Sequence, residues 1–333
     1  MTQVGPALRE VLGKTLSELA SSDPRIVVLD GDVGSSTGGA LFEAAHSERY
    51  LQTGIAEQNM VAMAAGLATV GFVPFVTTFA CFAVARALDS IRVLVAQPAL
   101  PVKIIGGYAG LLTGMTGKTH QIFNDLAIMR SLSSVAVFAP ADQVEARQVI
   151  ERVAEMDGPA YVQITREPSP ELFDDGYRFR VGRAVGIRKG RDLVLVSTGV
   201  QTTRVVKAAE ILSRRGIEAA VLHFPTVKPI DEVALVEAAL ATGFVVTVEE
   251  QSVLGGLGGA VAEVLADKAP VAVKRLGIQD CYGESGPNAA LLDKYRLSPD
   301  RIAEDVETLL ATRTVRNGHV AAASAGSSAS EGP

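Results

Sequence analysis

Residues 54–92 read GIAEQNMVAMAAGLATVGFVPFVTTFACFAVARALDSIR. From Met60 to Ala85 no side chain carries a charge, and hydropathy alone would flag a membrane span. Gly71, Pro74, Thr77 and Thr78 break the run into a small-residue helix over 57–71, a turn, a β-branched strand over 73–79 and a second helix over 81–96. A wholly apolar strand between apolar helices is the pattern of a sheet covered on both faces. The stretch therefore predicts the interior of an α/β domain rather than a bilayer helix.

The same grammar extends in both directions. Upstream, RIVVLDGDV (25–33) reads as a buried strand; downstream come strands at 102–107, 135–140 and 160–166, with a helix from Asp142 to about Ala154. EPSPELFDDGY (167–177) concentrates proline, acid and glycine, as interdomain linkers do. Strand and helix signals then restart with DLVLVSTG (192–199), a helix over 201–215, IEAAVLHF (217–224), a helix from about Asp231, FVVTVEE (244–250) and a helix after GGLGG. The expectation is an α/β protein of two doubly wound domains, 1–170 and 187–315, joined by a linker at 171–186. The tail, 316–333, has lost all apolar periodicity and is expected to be disordered.

At 333 residues the chain is long enough for two full cores. With 31 Lys and Arg against 37 Asp and Glu, the formal charge is -6, which argues against a nucleic-acid footprint because phosphate neutralisation needs a basic surface. Cys81 and Cys281 stand in no metal-ligand spacing and form no disulfide framework. That usage suits a reducing compartment, and the charged opening MTQVGPALREVLGK is no signal peptide, so a cytoplasmic protein without membrane association is expected.

Two glycine clusters imitate nucleotide sites. GGLGGA (255–260) follows a strand and opens a helix as a dinucleotide fingerprint would, but Glu249 and Glu250 stand where a diphosphate would arrive, so close backbone packing is its expected role. Gly31 and Asp32 precede Asn59 at about the spacing of a thiamine-diphosphate and magnesium motif. The motif's second glycine is replaced by Val33, however, and the asparagine is unpaired, so no metal ligand is assigned to this chain.

Together with THQ (119–121), PADQVEA (140–146), VEEQSVLGGLGGAVAEVL (248–265) and CYGESG (281–286), residues 54–92 resemble the C-terminal half of transketolase, as found in split bacterial enzymes. The resemblance runs from about Leu8 to Leu310 and rests on the order and spacing of these segments. It implies a pyrimidine-binding domain followed by a transketolase C-terminal domain. It also implies thiamine diphosphate and magnesium as cofactors, and a partner, the N-terminal subunit, that binds the diphosphate and metal. Two copies of each subunit would form a heterotetramer transferring a two-carbon ketol unit from a ketose to an aldehyde. The alternatives are a 2-oxoacid dehydrogenase E1 β-like subunit, whose usual loop has HSQ where this chain has THQ, and a non-catalytic scaffold.

Glu57 opens the apolar helix, where a buried carboxylate needs a partner and burial favours its protonated form. An acid there is ordinarily a dipole-compensating residue; the resemblance instead makes it the proton carrier for the aminopyrimidine. Phe79 and Phe82, otherwise plain core aromatics, correspond to the pair enclosing that ring. The third aromatic of the family pocket falls on Ala85. His120 corresponds to a substrate-contacting histidine, and Arg9 and Arg166 to arginines on the substrate phosphate, where surface salt bridging is the bland alternative. Asp32 and Ser36 match positions near the sugar hydroxyls and phosphate. In two places the chain departs from the family. Tyr108 stands for a histidine on the donor hydroxyls, and Thr116 for the acid that reads the acceptor C2 hydroxyl, with Lys118 adding a cation beside it. These changes imply a specialised acceptor. His46 and His223 match nothing catalytic.

Overall fold

The computed structural model describes the backbone of residues 4–327 and the side-chain surroundings of residues 4–313. Its strands are β1 (Val4–Ala7), β2 (Ile26–Asp30), β3 (Tyr50–Gln52), β4 (Val73–Phe79), β5 (Lys103–Gly107), β6 (Ala136–Phe138), β7 (Ala160–Ile164), β8 (Pro168–Pro170), β9 (Val185–Arg188), β10 (Leu193–Ser197), β11 (Ala219–His223), β12 (Thr226–Lys228), β13 (Phe244–Ser252) and β14 (Ala272–Ile278). The first domain is built on the sheet β12-β6-β7-β5-β4-β2-β3, parallel except for β12. Every residue of β2, β4, β5 and β7 is buried, the condition under which strands read as continuous apolar runs.

Helices cover both faces. On one, Leu8, Leu12 and Leu16 recur one turn apart along the Leu8–Ser22 helix and pack with Ala146, Val149 and Val153 of the Gln143–Ala154 helix. On the other lie Met60, Val61 and Ala64 of the Glu57–Thr69 helix, with Ala83 and Val84 beyond β4. The expected helix over 81–96 is segmented: Ala80–Arg86, Leu88–Ser90, then a wider π-type turn at Ile91–Ala96. No glycine or proline interrupts 81–96, so local sequence carried no signal for the break.

The second domain has the sheet β14-β13-β10-β11-β9, parallel except for β9. Asp231 accepts a hydrogen bond from Ala234 N and caps the Glu232–Thr242 helix, as Asp142 does for its own helix through Glu145 N. The stretch 171–186 runs between β8, which pairs with β1, and β9, which contains Val185 and Gly186. β12, by sequence part of the second half, crosses over to pair with β6 of the first.

The last helix runs from Pro299 to Ser327 and so enters the stretch 316–333. Alanine has the highest intrinsic helix propensity, so HVAAASA continues a helix without any apolar stripe. Residues 328–333 lie outside the described residues. Among the described residues no helix is long and apolar enough to cross a membrane.

Candidate active site

In the first domain the chain leaves β2 for β3 on one side and returns to β4 on the other, so the strand order reverses between β2 and β4. Crevices at such points, at the carboxyl ends of parallel strands, are where open α/β sheets bind ligands. Asp32 follows β2, Phe79 ends β4, Tyr108 follows β5 and Arg166 follows β7. Strand order thus gathers side chains that are far apart in sequence.

Three of them, Arg166, Tyr108 and Phe79, form a stack with Phe82 and Arg86. The guanidinium of Arg166 lies 5.3 Å over the Tyr108 ring, and Tyr108 lies nearly parallel to Phe79 at 4.2 Å between centroids. Phe79 stacks in turn on Phe82 at 5.7 Å, and Arg86 closes the far end 4.1 Å over the Phe82 ring. His120 sets its edge against both phenylalanines, at 5.9 and 5.4 Å. Tyr108, held in left-handed backbone at φ 57°, is buried as a rung of this ladder rather than standing open in the crevice.

Glu57 begins the Glu57–Thr69 helix and is only 3% exposed. The partner its burial demands is Arg86, whose Nη1 donates to Glu57 Oε1 at 2.8 Å. Arg86 was missed in the sequence, yet it left a signal. It is the first charge after the charge-free run and sits four residues beyond Phe82, one helical turn away on the same face. Beside Ala85, where the family pocket has its third aromatic, a cavity of about 810 Å³ opens between the domains, lined by Phe82, Arg86, Lys118, Asp280 and Tyr282 among others. The Cys81 thiol also lines it and is pushed up to about 12 by burial.

The other expected site residues sit on the surrounding loops and helix starts. Asp32 is exposed in left-handed backbone at φ 66°, whereas the buried carboxylate of that turn is Asp30, which accepts from Val33 N at 2.8 Å and Thr77 Oγ1 at 2.9 Å. Ser36 lies in the short helix Gly34–Thr37 that follows, and Arg9 Nη1, from the Leu8–Ser22 helix, donates to the neighbouring Ser35 carbonyl at 3.4 Å. Among the described residues the buried Arg9 Nε has no hydrogen-bond partner. Thr116 turns its hydroxyl back onto the Thr113 carbonyl at 2.7 Å, and Lys118 is exposed on the rim.

The loop carrying Tyr108, Thr116, Lys118 and His120 is held by the second domain. Glu250 Oε1 accepts from Leu111 N and Leu112 N at 3.0 and 3.1 Å, and Asn288 bridges Gly114 N at 3.0 Å and the Leu112 carbonyl at 3.1 Å. Ser252 N donates to the Phe123 carbonyl at 2.7 Å, and Gln121 Nε2 to the Glu284 carbonyl at 3.2 Å. Gly114 packs so closely that a Cβ there would lie 2.3 Å from the Gly286 carbonyl. The GGLGGA turn is closed to phosphate by the protein itself, because Glu249 accepts from Leu257 N and Gly258 N at 2.8 Å each. Among the described residues no group of three or more His, Cys, Asp or Glu could hold a metal. The aromatic stack beside the buried Glu57 suits a flat ring that presents an N–H to a carboxylate.

Two family models match the chain: the transketolase pyrimidine-binding domain over residues 4–170 and the transketolase C-terminal domain over 182–302. The chain belongs to the transketolase family. A solved split-gene transketolase, in an inactive beta4 tetramer, is 44% identical and superposes with a TM-score of 0.86, covering 92% of this chain and 99% of that one. The 6-deoxy-6-sulfo-D-fructose transketolase subunit SqwH of Clostridium sp. (strain MSTE9) is 37% identical over 89% of this chain and 92% of its own length. Human transketolase is 33% identical over 91% of this chain, which matches 49% of that longer protein. The order of domains and the split-gene likeness agree with what residues 54–92 implied.

Proposed function

We propose that this chain is the C-terminal subunit of a thiamine-diphosphate-dependent transketolase-like enzyme, active with an N-terminal subunit that supplies the diphosphate and magnesium sites. The observation that carries the reading is a buried carboxylate, Glu57, beside the Phe79–Phe82 stack at the switch point of a parallel sheet. The cofactor, when bound, supplies the electron sink for carbon–carbon bond cleavage and formation. Glu57 would share a proton with a ring nitrogen of the aminopyrimidine, Phe82 backed by Phe79 would form the aromatic wall against that ring, and His120, at their edge, would meet the substrate. Arg9 and Arg166 would bind an anionic substrate group, and Asp32 and Ser36 would border the sugar hydroxyls. The chain's match to 49% of human transketolase and to nearly all of split relatives supports a separate N-terminal partner; the assembly we propose is a heterotetramer of two copies of each, in the cytoplasm.

The acceptor is a modified aldehyde rather than a common 2-hydroxyaldose phosphate. Thr116 replaces a charged acceptor of hydrogen bonds and spends its hydroxyl on Thr113, while Tyr108 is committed to stacking. Losing a charged hydrogen bond costs ~1.5–3 kcal/mol of discrimination. That a relative is named for a sulfonated sugar supports a modified substrate. The test is reconstitution with the N-terminal subunit, thiamine diphosphate and magnesium. Donors are hydroxypyruvate against pyruvate; acceptors are ribose 5-phosphate, erythrose 4-phosphate and unhydroxylated aldehydes. Turnover is expected with hydroxypyruvate and the complex only. Robust turnover by the chain alone would refute the split-site reading, and a preference for pyruvate would move the chain to the 2-oxoacid dehydrogenase class.

A further inference from the structure

Arg86 touches the two groups that the cofactor reading reserves for the aminopyrimidine. Its Nη1 donates to Glu57 Oε1 at 2.8 Å, and its guanidinium lies 4.1 Å over the face of Phe82. A guanidinium is flat and cationic, with N–H donors in its plane and a face that stacks on aromatics. A protonated aminopyrimidine is flat and cationic too, and it also presents an N–H to a carboxylate. We propose that Arg86 is a self-ligand of the cofactor site, taking the ring's place on Glu57 and Phe82 in the cofactor-free chain and yielding it when cofactor enters. The inference rests on the thiamine-diphosphate reading above.

The physical case has two sides. Without Arg86, an ionised Glu57 at 3% exposure would be a buried charge without a hydrogen-bonding counter-ion, which is costly. Arg86 itself is 49% exposed, so it leaves at small desolvation cost. It also has somewhere to go. The 810 Å³ cavity that it lines gives room for the displaced side chain, and Asp280, which also lines that cavity, carries a carboxylate to receive it. A site closed by its own side chain binds with an apparent dissociation constant equal to the intrinsic one divided by the open fraction. If the pair is closed nine-tenths of the time, removing it tightens binding about tenfold.

The measurement is a calorimetric titration of thiamine diphosphate, with magnesium, into the complex with the N-terminal subunit, for the wild type, Arg86→Ala and Arg86→Lys. Arg86→Ala is expected to bind about tenfold tighter, and Arg86→Lys, which keeps the charge but loses the planar fork, to fall between. If Arg86→Ala melts early, the Arg86→Lys comparison carries the test. Unchanged or weaker binding by the variants, with the wild type binding normally, overturns the self-ligand and leaves the cofactor assignment standing. No binding by the wild-type complex overturns the cofactor assignment, and the proposal with it.

Discussion

A buried carboxylate is informative through its partner, and Glu57 has one that must be shared. In the reconstituted complex Glu57→Gln preserves shape but cannot pass a proton, and positioned proton transfer is worth ~10²–10⁴-fold in rate. The expected result is a loss of that size in kcat with an unchanged thermal midpoint. His46 is the internal comparison. Its ring contacts the Ser17 carbonyl at 2.9 Å and Arg49 at 2.7 Å, tying the first helix to the loop that precedes β3, remote from the aromatic stack. His46→Ala is expected to cost some stability and little turnover; equal losses of turnover in both variants would place the cofactor elsewhere.

Among the elements, the loop between β5 and the Asp125–Ser131 helix matters most, because it belongs to the first domain by sequence and is fixed by the second. Asn288 supplies two of its bonds, to Gly114 N and to the Leu112 carbonyl. Asn288→Ala leaves both backbone groups without these partners, a cost of ~1–3 kcal/mol each where water cannot replace them. Thr116, Lys118 and His120 ride on this loop, whereas Glu57, Phe79 and Phe82 sit on other elements. The variant is therefore expected to raise the acceptor KM several-fold while cofactor affinity stays within about twofold. Steady-state kinetics beside a cofactor titration separates the two, and a parallel rise in both constants would mean that the loop supports the cofactor pocket instead. Asn288→Asp, which keeps the acceptor to Gly114 N, should recover part of the loss.

At the scale of the whole molecule the two domains are bound by groups that neither could bury alone. His223, at the end of β11, contacts Glu145 Oε2 at 2.8 Å and Thr202 Oγ1 at 2.7 Å, while Tyr177 of the connecting stretch donates to Glu145 Oε1 at 2.5 Å. His223 and Glu145 are both fully buried, so a clamp rather than catalysis explains this histidine. Glu249, fully buried under the GGLGGA turn, has its carboxyl pushed up to about 7 by burial, against the pull of Gly258 N and Leu257 N. Between the ordinary carboxylate value and 7 the folded chain holds a proton that the unfolded chain has released. Stability from this group is thus full below about pH 4.5 and declines as pH rises to 7, by roughly 3 kcal/mol in all. Denaturant melts of wild type and Glu249→Gln from pH 4.5 to 8 should show the wild type losing stability relative to the variant across that window. A pH-independent difference would mean that Glu249 stays ionised throughout.

Local pattern was enough for much of this. The charge-free run at 60–85, broken at Gly71 and Pro74, determined a buried α/β interior, and the restart after residue 192 determined a second domain, because strand and helix periodicities are set by neighbours along the chain. The acids at 249 and 250 already spoke against a phosphate in the glycine turn. Three things needed tertiary structure: Arg86 on Glu57, the stack from Arg166 through Tyr108 to Phe82, and the crossing of β12 into the first sheet. Each joins residues that only strand order or domain packing brings together, and the direction in which a side chain finally points is decided by what is packed against it, not by its neighbours in sequence.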